Sequence, residues 1–206
     1  MLQQVVKELT NKELNEKEIS NFWKSGRNFD KFLKRWGIIN IKEFWDTFDQ
    51  RDYQERVKMI DQGTCFLYPD TLKILENLKR YKNIKMGIIS NTPAKIAQME
   101  LKKLNLSENF FDILLFLGTQ QQKIAKPNPK SIELALKKIK INKKNTFFIG
   151  DTELDILAGK NAKINTIFIL REHNTKHELS VKPDYVIENL TEICNILKIY
   201  NAEGGI

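Results

Sequence analysis

The spacing of hydrophobic and polar residues changes near residue 67. Before that point, apolar residues recur at helical intervals and predict helices at about 2–8, 12–23, 28–36 and 41–61. We interpret the aromatic residues of this part as the core of a small helical subdomain, because such a stripe packs between helices more often than it binds a ligand. These aromatic residues are Trp23, Phe32, Trp36, Phe44, Trp45 and Phe48.

Beyond residue 67, short apolar runs alternate with helical patterns. The runs have the length of strands, and continuous apolar strands bounded by helices indicate a parallel sheet covered on both faces. We therefore predict an α/β fold, a Rossmann-like parallel sheet over residues 68–206, with a helical cap over residues 1–67. The predicted strands lie at 84–90, 111–118, 145–151, 165–170 and 184–189, and the predicted helices near 70–82, 93–105, 128–140, 153–162 and 190–199.

Polar or proline residues mark the starts of three predicted helices. Asp70 is placed to cap the first helix of the second part, and Thr92-Pro93 and Asn128-Pro129 begin the next two. The helical pattern that follows Asn128-Pro129 ends in the lysine-rich segment 137–144.

The formal charge of +8, from 34 Lys and Arg against 26 Asp and Glu, raises the possibility of an anionic partner. In the lysine-rich segment 137–144, however, Ile132, Leu136 and Ile139 form one apolar stripe and leave the lysines on the solvated face. No aromatic residues interleave with these lysines, as a groove for single-stranded nucleic acid requires. We therefore do not predict a nucleic-acid partner.

Composition also bears on the cellular setting. The hydrophobic fraction of 41% is enough for a sizeable core, and no apolar run approaches the roughly 20 residues that cross a membrane. The start of the chain lacks the pattern of a signal peptide, and Cys65 and Cys194 do not make a disulfide framework. We expect a cytoplasmic protein with no membrane partner.

Residues with chemical potential follow three of the predicted strands. Ser90 and Asn91 come after the first strand, Lys126 lies in the loop after the second, and Asp151 and Asp155 come after the third. Ligands of open α/β sheets bind beyond these strand ends. A hydroxyl, backbone N–H groups and a cation suit a phosphate, while two carboxylates on one side of a helical turn suit Mg²⁺. Taken singly, each residue is as easily a strand-end hydroxyl, a surface lysine or a helix cap.

Three segments resemble motifs of the haloacid dehalogenase-like superfamily, specifically its Mg²⁺-dependent phosphatases of the phosphoglycolate-phosphatase type. IISNT resembles the second motif, KIAKPNPKSIELAL the third and GDTELDILAGKNA the fourth, in the family's order and spacing. In addition, LYPDTLKILENL resembles the return of the chain from the family's helical cap. The resemblance covers about residues 20–200.

The resemblance implies a role for each candidate residue. Ser90 and Asn91 would bind phosphate, Lys126 would hold the phosphoryl group and the nucleophile together, and Asp151 would bind the metal. Asp155 would be a second acidic partner, either of the metal shell or of Lys126. The implied activity is Mg²⁺-dependent hydrolysis of a small phosphorylated metabolite through an aspartyl-phosphate. Dehalogenating relatives generally lack the GDxxxD pair, so its presence favours phosphate chemistry over halide chemistry.

The first motif of the family, an apolar strand ending in DxDGT that supplies the nucleophile, does not occur in the sequence. The nearest segment, FWDTFDQRD, spaces Asp46 and Asp49 three apart without a following Gly-Thr, and it fits a helix that runs to about residue 61. We therefore expect the chain to lack an N-terminal strand of roughly 15–25 residues. In the family, that strand is central, between the strands that here end at Ser90 and at Asp151.

The sequence leaves three outcomes open for the position of the missing central strand. The segment LQQVV could fill it as a short strand, the flanking strands could close up, or their edges could stay exposed. The chain is then either an inactive or impaired phosphatase, or a non-catalytic phosphate-binding or regulatory relative. The substrate and the oligomeric state are not determined by the sequence.

Four further residues are given structural interpretations. His173 and His177 have the spacing of a helical metal pair, but they lie in a polar segment without a third ligand and are interpreted as a surface loop. Cys194 is placed in the apolar stripe of the last helix, and Arg171 is interpreted as an exposed loop arginine.

Overall fold

The structure is a computed structural model and describes residues 1–25, 28–175 and 179–198. The chain forms two compact units. The first contains 1–66, 90–105 and 116–125, and the second contains 67–89, 106–115 and the chain from 126 onward. In chain order the helices are α1 (Leu2–Thr10), α2 (Glu16–Lys24), α3 (Phe29–Arg35), α4 (Ile41–Asp61), α5 (Asp70–Lys79), α6 (Ala94–Lys103), α7 (Lys130–Ile139), α8 (Glu153–Ala162) and α9 (Ile193–Ile196), and the strands are β1 (Gly87–Ser90), β2 (Ile113–Phe116), β3 (Phe147–Gly150), β4 (Asn165–Ile169) and β5 (Tyr185–Ile187).

The first unit is helical and has an aromatic core. Phe22 and Phe44 are fully buried, and the ring of Phe22 lies 5.2 Å from that of Trp36 and 6.1 Å from that of Trp45, centre to centre. The sequence-based interpretation of the aromatic residues as a helical core is confirmed except for Trp23, which is 39% exposed. In addition, α6 packs on α4, where Arg56 donates to Asp52 at 3.0 Å and to Glu100 at 2.8 Å. The predicted domain boundary at residues 67 and 68 stays a prediction.

The segment LQQVV is helical and does not fill a gap in a sheet. It lies in α1, where Leu2, Val5 and Val6 are buried in the core of the first unit. Their spacing of three and four residues places the three side chains on one helical face, which explains why this segment forms a helix instead of a strand. The first of the three outcomes considered for the gap is therefore wrong.

Strands β3, β4 and β5 run parallel, as predicted. In one sheet, of order β3-β4-β5, Ile149 pairs with Ile167, and Phe168 with Val186. In a separate sheet, β1 pairs with β2. Within the described residues, no strand joins β1 to β3, so the predicted single sheet consists of two parts.

The helix α8 packs closely on β3 and β4. A Cβ added to Gly159 would lie 2.4 Å from Cγ2 of Thr166, so only glycine allows this approach without a shift. Nearby, Ile132 and Leu136 of α7 are buried against Ala158 and Ala162, while Lys137 and Lys138 are exposed. This confirms the interpretation of the lysines as a solvated helix face.

Two local predictions require correction. Asp70 does not cap α5 with its side chain, because its carboxylate accepts the backbone N–H of Leu190 at 2.8 Å instead. The last predicted helix is shorter than expected, a 3₁₀ turn over Leu190–Glu192 followed by α9.

Cys194 is buried as predicted. Among the described residues, no helix has the length and apolar character that crossing a membrane requires.

Candidate functional site

The turn between β3 and α8 is a capping box that fixes Asp155. Thr152 is the N-cap of α8, and its Oγ1 and backbone N–H donate to Oδ2 of Asp155 at 2.5 and 3.1 Å. In return, Oγ1 of Thr152 accepts the backbone N–H of Asp155 at 3.4 Å. The T-x-x-D pattern of a capping box stands in the sequence but did not enter the sequence-based interpretation.

The remaining oxygen of Asp155 binds Lys126. The Nζ of Lys126 donates to Oδ1 of Asp155 at 2.6 Å, and the two side chains are 15% and 6% exposed. The same ammonium lies 5.8 Å from the centre of the Phe148 ring. The structure thus brings together two of the predicted site residues as a buried ion pair, with both carboxylate oxygens of Asp155 engaged.

Gly150 leaves the space that Asp155 occupies. A Cβ at this position would lie 2.2 Å from Cβ and 2.3 Å from Cγ of Asp155. Real side chains do not approach that closely, so any larger residue at the end of β3 would displace the carboxylate from Lys126.

Asp151 contacts a histidine that the sequence-based interpretation assigned to a surface loop. Nε2 of His173 lies 2.9 Å from Oδ2 of Asp151, and the two side chains are 52% and 45% exposed. That interpretation missed this contact. The loop after β4 leaves the sheet at the same carboxyl edge as the loop after β3, and this shared edge is the signal that could have predicted it. His177 lies outside the described residues.

Asn174 holds the loop that carries His173. Its side chain is fully buried, and its Nδ2 donates to the backbone oxygens of Asp151 and Ile169, each at 2.9 Å. Its Oδ1 accepts the backbone N–H of Arg171 at 2.7 Å. With every polar atom of this side chain bonded, the loop is tied to the end of β3.

Arg171 is not an exposed loop arginine, and that prediction is wrong. Its side chain is 12% exposed, donates to both carboxylate oxygens of Asp70 at 3.0 and 2.8 Å, and stacks 4.1 Å from the centre of the Tyr68 ring. Burial alone would raise the pKa of Asp70, but the N–H of Leu190 and the guanidinium outweigh it and hold that pKa below its usual value. Arg171 therefore stabilises the fold next to the candidate site.

Ser90 and Asn91 belong to the first compact unit. Ser90 is the last residue of β1, and its Oγ accepts the backbone N–H of Thr92 at 3.2 Å. The predicted role of both residues in binding phosphate beside Lys126 stays a prediction.

A cleft of about 920 Å³ in the second unit gives access to the cluster. Lys126, Asp151, Asp155 and His173 line it together with apolar residues of β1 and β3. A half-exposed carboxylate beside a buried ion pair, whose ammonium group lines the same cleft, can bind a hard metal ion and an anion.

The side chains that could bind a metal ion are few. Within the described residues, no group of three or more His, Cys, Asp or Glu side chains surrounds a common point. Mg²⁺ is nevertheless commonly bound through one or two carboxylates, with waters and substrate phosphate as the other ligands. Asp151, with its half-exposed carboxylate, meets that smaller requirement.

Several curated proteins are similar to this chain. The pyrophosphatase PpaX of Oceanobacillus iheyensis is 30% identical over 129 residues, which cover 62% of this chain and 57% of that protein. PpaX of Halalkalibacterium halodurans is 26% identical over 172 residues, covering 81% and 74%. A phosphoglycolate phosphatase of Photorhabdus laumondii is 29% identical over 157 residues, covering 76% and 63%. The chain therefore spans little more than half the length of the first of these relatives.

Solved structures show the same fold. A hydrolase from Pseudomonas syringae has a TM-score of 0.69 at 21% identity, with 96% of this chain and 89% of that chain covered. The hydrolase YfnB of Bacillus subtilis, in a crystal form bound to magnesium, has a TM-score of 0.59 at 19% identity, with 96% and 90% covered. These likenesses confirm the predicted α/β fold.

The model of one family, the haloacid dehalogenase-like hydrolases, matches residues 1–169. This match covers most of the chain and contains Ser90, Lys126, Asp151 and Asp155. The chain belongs to the haloacid dehalogenase-like hydrolase family.

Proposed function

We propose that this chain carries the phosphate-handling site of a Mg²⁺-dependent phosphomonoesterase that acts on a small phosphorylated metabolite. The observation that carries the proposal is the buried Lys126–Asp155 pair at the cleft that Asp151 also lines. The family relationship supports hydrolytic chemistry, and similarity to proteins named pyrophosphatase and phosphoglycolate phosphatase supports a phosphorylated substrate.

In this proposal, Lys126 presents its ammonium to the phosphoryl group, and Asp155 positions that ammonium. The bonds from Thr152 and Lys126 occupy both oxygens of Asp155, which favours a positioning role over the metal-ligand role that the sequence also allowed. Ser90 and Asn91 are proposed to donate to the phosphate oxygens.

Asp151 is proposed to hold Mg²⁺, with His173 orienting its carboxylate. A bound Mg²⁺ would offset the negative charge of the phosphoryl oxygens, which otherwise repel an attacking nucleophile. The carboxylates that line the cleft within the described residues are Asp151 and Asp155, and both already have partners. We therefore propose that the chain by itself turns over phosphate esters slowly.

A non-catalytic phosphate-binding or regulatory role is the second candidate, because the same Lys126 and Asp151 would bind phosphate and metal without a nucleophile.

The proposed location is the cytoplasm, where two free cysteines, Cys65 and Cys194, would stay reduced.

Turnover of p-nitrophenyl phosphate with Mg²⁺ tests the enzymatic proposal. We expect activity near background in the wild-type chain and no activity above background in Asp151→Asn. A matched control is Asp46→Asn, because Asp46 is 64% exposed on α4 and should not affect activity. Rapid turnover that Asp151→Asn abolishes would contradict slow turnover and would require a nucleophile elsewhere in the chain.

Binding is measured separately from turnover. Inorganic phosphate with Mg²⁺ should raise the melting temperature of the wild-type chain, and Asp151→Asn should reduce this shift. A shift without turnover favours the non-catalytic role. If neither a shift nor turnover is found in a folded protein, both candidate functions are wrong.

A further inference from the structure

Four lysine side chains line a second, smaller pocket of the second unit. They are Lys143, Lys144, Lys160 and Lys163, and the pocket has a volume of about 350 Å³. Among the described residues that line it, the one acidic residue is Asp184, so the lining has a net charge of +3. Positive charges that share one pocket repel one another, and a bound anion would relieve that repulsion.

This lysine pocket lies at the amino ends of three parallel strands. The turn Lys143–Asn145 comes before β3, Lys163 comes before β4, and Asp184 comes directly before β5. Asp151 follows the carboxyl end of β3, and the four residues of that strand extend over about 13 Å. The lysine pocket is therefore separate from the candidate phosphate site.

Two of the four ammonium groups have acidic partners. The Nζ of Lys143 donates to Glu133 at 2.8 Å, and the Nζ of Lys160 donates to Asp184 at 2.6 Å. The other oxygen of Asp184 accepts the backbone N–H and the hydroxyl of Thr166 at 2.7 and 2.8 Å, so the carboxylate that holds Lys160 is itself fixed to β4. An ammonium has three N–H donors, and each of these ion pairs leaves the others for a ligand.

Lys144 and Lys163 have no acidic partner within the part of the chain that the structure describes. A lysine at the carboxyl end of a helix is favourable by itself, which can account for Lys160 and Lys163 at the end of α8. It does not account for Lys144, which comes from the turn before β3. Lysines from separate segments thus line one pocket without a structural role that explains them all.

The carboxyl end of α8 borders the pocket and would by itself disfavour an anion. The last carbonyl groups of this helix are, however, already bonded. The carbonyl of Gly159 accepts the N–H of Ile164 at 3.1 Å, and that of Lys160 accepts the N–H of Lys163 at 3.0 Å. These bonds reduce the negative partial charge that the helix end presents, so the ammonium groups dominate the pocket.

We propose that the lysine pocket binds a compact anion with several phosphoryl groups, such as a condensed inorganic phosphate. Four flexible point charges from three segments can contact several phosphoryl oxygens at once, whereas a single phosphate would reach fewer of them. No aromatic residue and no arginine lines the pocket among the described residues. The pocket therefore has no surface on which a nucleic-acid base would stack and no planar fork for a carboxylate.

Isothermal titration calorimetry of the full chain with tripolyphosphate tests the proposal. The buffer contains EDTA, so that metal-dependent binding at the candidate phosphate site does not contribute. We expect saturable binding to the wild-type chain. The double variant Lys144→Gln with Lys163→Gln removes two charges without breaking a recorded ion pair, and it should weaken binding at least about tenfold, which corresponds to about 1.4 kcal/mol.

A second double variant, Lys137→Gln with Lys138→Gln, is the matched control. It removes the same charge from the exposed face of α7, outside the pocket, and should change the affinity by no more than about twofold because exposed charges are screened. Circular dichroism and urea unfolding establish that both variants fold. Equal losses in the two double variants would show a general attraction to positive surface and overturn the proposal, as would absence of binding to the folded wild-type chain.

Backbone amide chemical shifts locate the bound anion. Addition of tripolyphosphate should change the shifts at 143–145 and 163–165. Changes centred on Lys126 and Gly150 instead would assign the anion to the larger cleft and overturn the proposal. Tighter binding of an oligodeoxythymidine that Lys144→Gln with Lys163→Gln weakens would assign the pocket to nucleic acid, which would also overturn it.

The lysine pocket and the proposed phosphatase function can fail independently. Lys144→Gln with Lys163→Gln should leave the rise in melting temperature with inorganic phosphate and Mg²⁺ unchanged, because that shift is attributed to Lys126 and Asp151. Loss of this shift in the folded double variant would show that the lysines act on the candidate phosphate site, and it would overturn the assignment of a separate pocket. Tripolyphosphate binding without any such shift in the wild-type chain supports the pocket and counts against the proposed function alone.

Discussion

His173 Nε2 lies 2.9 Å from Asp151 Oδ2, although 22 residues separate the two in the chain. Groups that hydrogen-bond to a metal-binding carboxylate orient it, and their loss typically reduces metal affinity 10–100-fold. Because both side chains are about half exposed, we expect the lower end of this range. His173→Ala should weaken Mn²⁺ or Mg²⁺ binding about tenfold in isothermal titration calorimetry.

His173→Gln is the matched variant for this prediction, because its side-chain amide can still donate to Asp151. It should recover part of the lost affinity. Unchanged metal affinity in His173→Ala would show that the contact does not orient the carboxylate.

The Lys126–Asp155 pair should be strongly coupled in stability. Lys126→Met keeps most of the apolar stem near Phe148 but leaves the carboxylate of Asp155 buried without its cation. Breaking a buried pair in this way costs about 3 kcal/mol of unfolding free energy. Urea denaturation of the single variant measures this loss.

The double variant Lys126→Met with Asp155→Asn removes both charges and should recover about 1 kcal/mol or more relative to Lys126→Met alone. The losses of unfolding free energy in Lys126→Met and Asp155→Asn could instead add up to the loss in the double variant. The two groups would then act independently, contrary to the 2.6 Å contact between them.

Gly150→Ala should disrupt the site without changing any charged residue. The added methyl group would overlap Cβ and Cγ of Asp155, so α8 must shift, at a cost of about 1–3 kcal/mol. Thermal and urea unfolding measure this cost, and the phosphate-induced rise in melting temperature should disappear.

Gly118→Ala serves as the control for this substitution. A Cβ at Gly118 would meet its nearest atom at 3.5 Å, which is an ordinary contact. If Gly150→Ala is as stable as Gly118→Ala, the close approach of β3 and Asp155 is not needed for the fold.

The Asp70–Arg171 pair should contribute to acid sensitivity. The pKa of Asp70 is lower in the folded chain than in the unfolded chain, where it is about 3.9. Its stabilisation is therefore fully present above about pH 5 and is lost as the pH falls through the folded-state pKa. Asp70→Asn should reduce the unfolding free energy at pH 7 by about 1–3 kcal/mol, because hydrogen bonds to a charged group are lost.

The difference between wild-type and Asp70→Asn stability should then shrink below pH 4, because protonation removes the same charge from the wild-type chain. Urea midpoints at several pH values between 3 and 7 measure this difference. A difference that stays constant over this range would show that the charge of Asp70 does not carry the stabilisation.

The sequence by itself determined most of the secondary structure and the family to which the chain belongs. The helix over Ile41–Asp61 and the helix over Glu153–Ala162 have the predicted limits, since hydrophobic periodicity and end residues are local features of the chain. The resemblance to the family gave Lys126 as one of two alternative partners of Asp155, the other being the metal shell, and the structure contains the Lys126–Asp155 pair.

Contacts between distant segments could be decided only by the tertiary structure. His173 meets Asp151 because the loops after β3 and β4 leave the sheet at one edge, and Arg171 meets Asp70 at the start of α5. No periodicity within these segments records either contact. Sequence pattern likewise predicted an apolar strand of a covered parallel sheet at β3, but how far its residues are buried depends on which strands are its neighbours. Burial is a property of the assembled chain, so the apolar residues of β4, between two neighbouring strands, are buried, while those of β3, beside β4 alone among the described strands, are only partly buried.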